Sequence, residues 1–266
     1  MDTRTPPIGV LIRDWRTRRR LSQLDLALEA DISQRHLSFV ESGRSAPSRD
    51  MILRLASQLE LPLRERNKLL LAAGFAPHFP ERQPRDPELA PMMAAVERVL
   101  KGHEPNPAIA VDRHWQLVSA NSAAGLFLKL ATDPDLLKPP INVLRLSLHP
   151  GGLSPLIVNL TEWRDHIIER LTRLFRATGD EAIDDLIEEL RSYPVPRTVP
   201  GKTIPYSGIA TTLHIRLPDG ASLNFITTIT VFGTPLDVAT SEIAIESFFP
   251  ADETTATWLA ANRPAS

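Results

Sequence analysis

Between Leu21 and Ser42 the chain sets two short amphipathic segments with only Asp31, Ile32 and Ser33 between them. That spacing constrains the fold more than any other feature. A link so short throws the second helix steeply across the first, which is the helix-turn-helix arrangement. The flanking residues fit the same plan. The spacing predicts five helices, over Ile8–Arg19, Gln23–Ala30, Gln34–Ser42, Arg49–Leu59 and Leu63–Ala73. Ser22, Ser33 and Ser48 stand at the N-cap positions of the second, third and fourth, and Gly74 follows the fifth. A serine there offers a side-chain oxygen to a backbone N–H that the helix leaves unpaired.

On a wheel of about 100° per residue, Leu37 and Val40 of the third helix point inward, while Gln34, Arg35, Ser38, Phe39 and Ser42 point outward. That outer face is polar at its head and short enough to approach base edges. Glutamine grips adenine, and arginine grips guanine, with paired hydrogen bonds. Gln34, Arg35 and Ser38 are therefore expected to read bases, with Phe39 placed to touch a thymine methyl. Phosphate contacts are expected at helix N-termini, where free N–H groups collect. Gln23, Arg44, Ser45 and Ser48 are the candidates. The same 75 residues would also suit a small helical bundle that binds protein.

Charge is uneven along the chain. Residues 1–75 hold 13 Lys and Arg against 9 Asp and Glu, and the remaining 191 residues hold 17 against 23. Arg16, Arg18, Arg19 and Arg20 cluster in the basic part, where they form either a phosphate-facing patch or a solvated helix face. After it comes APHFPERQPRDPELAP, residues 76–91, with five prolines. Prolines this dense remove backbone donors and block helices. The expected organisation is a DNA-binding domain over 1–75, a proline-rich linker over 76–87 and a second domain over 88–266.

The N-terminal residues Arg16, Leu21-Ser22-Gln23, Leu26-Ala27, Ser33, Leu37-Ser38, Glu41, Gly43 and Pro47 resemble the XRE/Cro-type helix-turn-helix family. The resemblance implies that Gln34, Arg35 and Ser38 read bases and that Gln23 and Arg44 hold phosphate. It also implies a structural ion pair between Arg16 and Glu41.

The second domain reads as strand, strand, several helices, then three strands. Strands are expected over Ala108–Val111, His114–Ser119, Ser207–Arg216, Ser222–Phe232 and Ile243–Phe248, the third and fourth joined at Pro218-Asp219-Gly220. Helices are expected over Glu88–Lys101, after Asn121, over Asn142–Leu148, from Ser154 to Ala177, from Asp180 to Arg191, and over Thr254–Ala261. The result is an α+β, PAS-like layout: a mostly antiparallel sheet of about five strands with helices over one face. Such a domain can enclose an apolar pocket. Trp115, Phe127, Trp163, Phe175, Phe225 and Phe232 are the candidate lining residues, although any one of them taken singly reads more readily as ordinary core.

The stretches 103–124, 141–150 and 225–256, with the helix around Trp163, resemble the MmyB-like transcription regulators. This resemblance implies a one-component regulator whose second domain holds a fatty-acid-like or other apolar molecule. A homodimer on a near-palindromic operator in duplex DNA is the expected working form, in the cytoplasm. The alternative is a regulator whose second domain only oligomerises; a more remote one is an enzyme on a small or lipid substrate.

Little else in the chain carries chemistry. It contains no cysteine, so disulfides and thiolate metal sites are excluded. Its seven histidines show no metal-binding helical spacing, and no HExxH, GxSxG or phosphate-cradling glycine loop occurs. No catalytic residue, metal or cofactor is expected. No run approaches the roughly 18 apolar residues of a membrane span, so no membrane partner is expected either. The acidic residues Asp180, Glu181, Asp184, Asp185, Glu188 and Glu189 fall opposite an apolar stripe and read as a solvated face.

Overall fold

A computed structural model describes residues 6–82, 86–195, 211–233, 235 and 237–263. In chain order the first elements are α1 (Ile8–Arg18), α2 (Gln23–Glu29), α3 (Gln34–Glu41), α4 (Arg49–Gln58), α5 (Leu63–Ala72) and α6 (Ala90–Gly102). Next come β1 (Ala108–Val111), β2 (Leu117–Ala120), α7 (Gly125–Lys129), α8 (Val143–Leu148), α9 (Leu160–Thr178) and α10 (Glu181–Ser192). The chain closes with β3 (Thr212–Arg216), β4 (Ser222–Val231), α11 (Val238–Ser241), β5 (Ala244–Pro250) and α12 (Glu253–Ala261). Two compact units form. One comprises Met1–Gln83, Arg176–Thr178 and Thr234–Ser241; the other comprises Pro84–Phe175, Gly179–Gly233 and Glu242–Ser266.

In the first unit, five helices close over Ile12, Trp15, Leu26, Leu37, Val40, Ile52, Leu55 and Leu70, all buried. The serine caps form as expected. Ser22 accepts from Asp25 N–H in a reciprocal capping box, Ser33 from His36 N–H and Ser48 from Met51 N–H. The turn between α2 and α3 is closed by Ile32 N–H donating to Ala27 O at 2.9 Å. Asp31 takes the left-handed conformation there, at φ 51°. Gly9 lets α1 approach α3, since a Cβ at that position would stand 2.3 Å from the Val40 carbonyl oxygen.

The proline-rich stretch is not free spacer throughout. Buried Asn67 of α5 accepts from His78 and Phe79 N–H and donates to Phe79 O at 2.7 Å. Arg64 pairs with Glu81, and Arg82 with Asp237. Residues 76–82 thus pack with this unit, because one buried amide replaces the backbone partners that the prolines forgo.

The second unit is built on a sheet of order β2-β1-β5-β4-β3 with every neighbouring pair antiparallel. Alternation along the strands sends Ile109, Val111 and Phe248 to one face and Ala108, Ala110 and Ile245 to the other. Helices α7 to α10 cover the first face. On the second, Val96 and Leu100 of α6 pack against β1. The expectation of helices on one face only is therefore corrected: the apolar stripe of α6 needed a partner, and the small alanines of β1 provide one.

The long helix also starts later than its sequence suggests. Ser154–Leu156 is a single tight turn. Ile157 then bridges Ile215, and Val158 N–H donates to His214 O at 2.8 Å, so α9 begins only at Leu160. Pairing with β3 outweighs the local Ser-Pro start signal. The expected strand Ser207–Arg216 is seen over Thr212–Arg216; positions 207–210 lie outside the described residues.

Candidate nucleic-acid interface and ligand pocket

Helix α3 presents the expected face. Leu37, Val40 and Glu41 are buried, whereas Gln34 and Arg35 are exposed at its head and Ser38 and Phe39 are half-buried. The Arg35 guanidinium lies 5.4 Å from the Phe39 ring centre and that of Arg44 lies 5.9 Å from it. Arg44 and Ser45 N–H both donate to Phe39 O. Phe39 therefore holds a base-reading and a phosphate-binding candidate on one ring, with cation–π attraction restricting both side chains. Ser48, exposed, occupies the N-terminus of α4.

The pair implied for Arg16 and Glu41 is present and bidentate, at 2.7 Å and 3.0 Å, with Arg16 also donating to Leu21 O at 2.8 Å. The hydrogen bonds that Arg16 donates to Glu41 raise the Arg16 pKa above its ordinary value, against the opposing effect of burial. Gln23, expected at phosphate, instead donates from Nε2 to Glu41 Oε2 at 2.7 Å. The carboxylate fixed by Arg16 lies within its reach, so its amide is turned inward.

In the second unit, a pocket of about 590 Å³, a figure that counts its open mouth, lies between the sheet and α7, α8 and α9. Its wall includes Phe127, Leu144, Ser147, Trp163, Ile167 and Phe248, together with the carboxylate-bearing Glu246. Trp163 Nε1 donates to Ser147 Oγ at 3.0 Å. Of the six expected lining residues, Phe127 and Trp163 are in the wall. Phe225 is fully buried core, edge-on to Phe127 and Phe248. Phe175 is half-buried against the same core, and Phe232 packs on the opposite sheet face. Trp115 lies under a guanidinium, with Arg170 Cζ 4.0 Å from its ring centre. Periodicity alone cannot separate a wall from a filled core, because both are apolar.

Comparison with known families bears on both units. Residues 92–261 match the profile described as "MmyB-like transcription regulator ligand binding domain", well over half of the chain. The chain belongs to the MmyB-like transcription regulators. Residues 12–66 match the helix-turn-helix profile. No curated protein matches. A solved structure, described as "Structure of an RNA-binding Light-Oxygen-Voltage Receptor", is 15% identical over 97% of this chain, with a TM-score of 0.26, and this chain spans 65% of its length. So low a score carries no argument. This MmyB-like regulator is thus a DNA-binding transcription regulator with a ligand-binding domain. Among its described residues no helix is long and apolar enough to cross a membrane, and no group of acidic or histidine side chains is arranged to hold a metal ion.

One feature of the ligand-binding domain escaped the sequence: the buried pair of Arg170 on α9 and Glu246 on β5, Nη1 to Oε1 3.1 Å, with side chains 14% and 4% exposed. The partners are 76 residues apart, and nothing local marks either of them. His166, one turn before Arg170, is stacked on Trp163. Burial, and then the charge of Arg170, holds its pKa below the ordinary imidazole value.

Proposed function

We propose that this MmyB-like regulator binds a near-palindromic operator as a homodimer, in the cytoplasm, each copy laying α3 in a major groove. Two such helices meet successive grooves when they stand roughly 34–36 Å apart. Gln34, Arg35 and Ser38 read base edges, and Phe39 meets a thymine methyl. Arg44, Ser45 and the N-terminus of α4 at Ser48 take phosphates. Gln23 joins them only by releasing Glu41. In the second domain the pocket holds an apolar small molecule of the fatty-acid size class. The ligand regulates by binding one arrangement of the dimer better than another.

The observation that carries this reading is the exposure of Gln34 and Arg35 at the head of α3, on the face turned away from buried Leu37 and Val40. Selection from a random duplex pool at two salt concentrations tests it. The expected result is two related half-sites about one helical turn apart. Arg35→Ala should cost about 1–3 kcal/mol and relax preference at one base pair. Arg44→Ala should weaken binding to all sequences and flatten the salt dependence. An unaltered site preference in Arg35→Ala would refute the assignment of the reading face.

A further inference from the structure

The first unit is not one run of chain. One of its pieces is Thr234–Ser241, which lies between β4 and β5 and so within residues 92–261, the match to the ligand-binding profile. Its helix α11 has four residues, far too few to hold together alone, since isolated helices shorter than about 12 residues are marginal in water. What holds it is the first unit. Val238 is fully buried, its N–H donates to Pro80 O at 2.9 Å, and α11 packs against α5. Asp237, 5% exposed, accepts from Arg82 Nη1 at 2.8 Å through one oxygen and from Ala239 N–H at 2.8 Å through the other. A carboxylate buried this deeply costs free energy unless its oxygens are paired, and both are.

The strip that receives α11 is tied along its length. Asn67 grips His78 and Phe79, Arg64 pairs with Glu81, and Pro80 and Arg82 take α11. At its other end Arg49 Nη2 donates to His78 Nδ1 at 2.8 Å. Arg49 is the first residue of α4, directly after Ser48, the cap expected at phosphate. Beyond α11 the chain leads straight into the sheet. β5 begins at Ala244, three residues after α11 ends, and its Glu246 and Phe248 are pocket wall. Ser241 to Glu246 spans at most about 17 Å of extended chain, which leaves little slack to absorb a shift of the strand.

We propose that α11 is the coupling element of this regulator: docked on residues 80–82, it passes the state of β4 and β5 to the operator-binding unit, and the operator tightens it in return. The inference rests on the operator reading above and adds how that site is regulated. The two states are α11 docked and α11 released. Release is local, because a backbone hydrogen bond, an ion pair and a buried valine hold so short an element. A phosphate held at Ser48 and Arg49 orders the His78 end of the strip and favours the docked state. A pocket occupant that shifts β5 favours one state through its unequal affinity for the two. Coupling of this kind is reciprocal, so either site reports it.

Amide hydrogen exchange of the full chain, with and without the duplex selected from the random pool, tests it. Binding itself is followed separately by fluorescence anisotropy. Saturating duplex is expected to raise protection about fivefold or more at Val238 and at the adjoining ends of β4 and β5, with α10 unchanged. Asp237→Asn keeps an oxygen for Ala239 N–H but loses the charge that holds Arg82. In that variant the duplex should still bind, and the rise at β4 and β5 should shrink below about twofold. Arg82→Gln should do the same, and the double variant should lose no more than either alone. A duplex that binds without a rise at Val238 and β5, or with an equal rise across α10, overturns the coupling and leaves the operator reading standing. So does a full rise in Asp237→Asn. A duplex that fails to bind the unaltered chain overturns the operator reading, and the coupling falls with it.

Discussion

Gly9→Ala sets local and tertiary physics against each other. Alanine in a helix interior is favoured over glycine by about 0.5–1 kcal/mol; Gly9 is the second residue of α1, so the sequence alone predicts a gain at or below the lower end of that range. The packing predicts the reverse. The new Cβ would stand 2.3 Å from Val40 O and 2.8 Å from Glu41 O, where ordinary contact begins at 3.4 Å. The helices must separate by about 1 Å to accept it. Both opposing atoms are backbone, so no side-chain rotamer relieves the clash. Overpacking of this kind costs about 1–3 kcal/mol, and more when backbone must move. Set against the helix gain, the net loss is about 1–2 kcal/mol, carried by the α1–α3 contact that holds the reading helix. A chain of two units gives no single meaningful melting point, so the assay is amide hydrogen exchange resolved by residue. Protection at Leu37, Val40 and Glu41 should fall by roughly 5–30-fold. Unchanged or increased protection would show that α1 and α3 do not approach as described.

Three further outcomes follow from particular contacts. Glu41→Ala leaves the Arg16 guanidinium and the Gln23 amide without their common acceptor and should destabilise the first unit by about 3 kcal/mol in urea unfolding followed by exchange at α3; a loss below about 1 kcal/mol would place the pair at the surface. Phe39→Leu removes the ring shared by Arg35 and Arg44, so affinity for all duplexes should fall about two- to fivefold, measured by fluorescence anisotropy, with unfolding unchanged. The lowered His166 pKa gives a pH dependence whose sign is fixed: below the ordinary imidazole value of 6.5 the unfolded chain takes up a proton that the folded one resists. Stability of the second unit should therefore fall as pH drops through that value, and His166→Asn should flatten the fall; identical pH profiles for the two proteins would remove His166 from the account.

What was legible in the sequence follows a physical boundary. The capped helix starts at Ser22, Ser33 and Ser48 depend on atoms within three residues, and the structure reproduces them. So does the outward face of α3, because a helical wheel is a local object once Leu37 and Val40 are turned inward. The hydrogen bond of Gln23 to Glu41 was not legible for the complementary reason: the two residues are 18 apart. The pocket wall was only partly legible. Phe127 and Phe225 are both apolar residues facing one core, and only the packing of α7 beside the sheet opens space at the first and closes it at the second.

The chain's own order of polar, apolar and proline residues determined that two units form, that the first is a helix-turn-helix, and that the second pairs five strands with helices. These outcomes rest on periodicity, caps and turns, which act over a few residues. Tertiary structure alone decided that α6 lies on the opposite face of the sheet, that α9 waits until Ile157 has met Ile215, and that Arg170 meets Glu246 with one edge of its guanidinium left unpaired. Those outcomes depend on which distant surfaces exclude water together, and no short window of sequence carries that information.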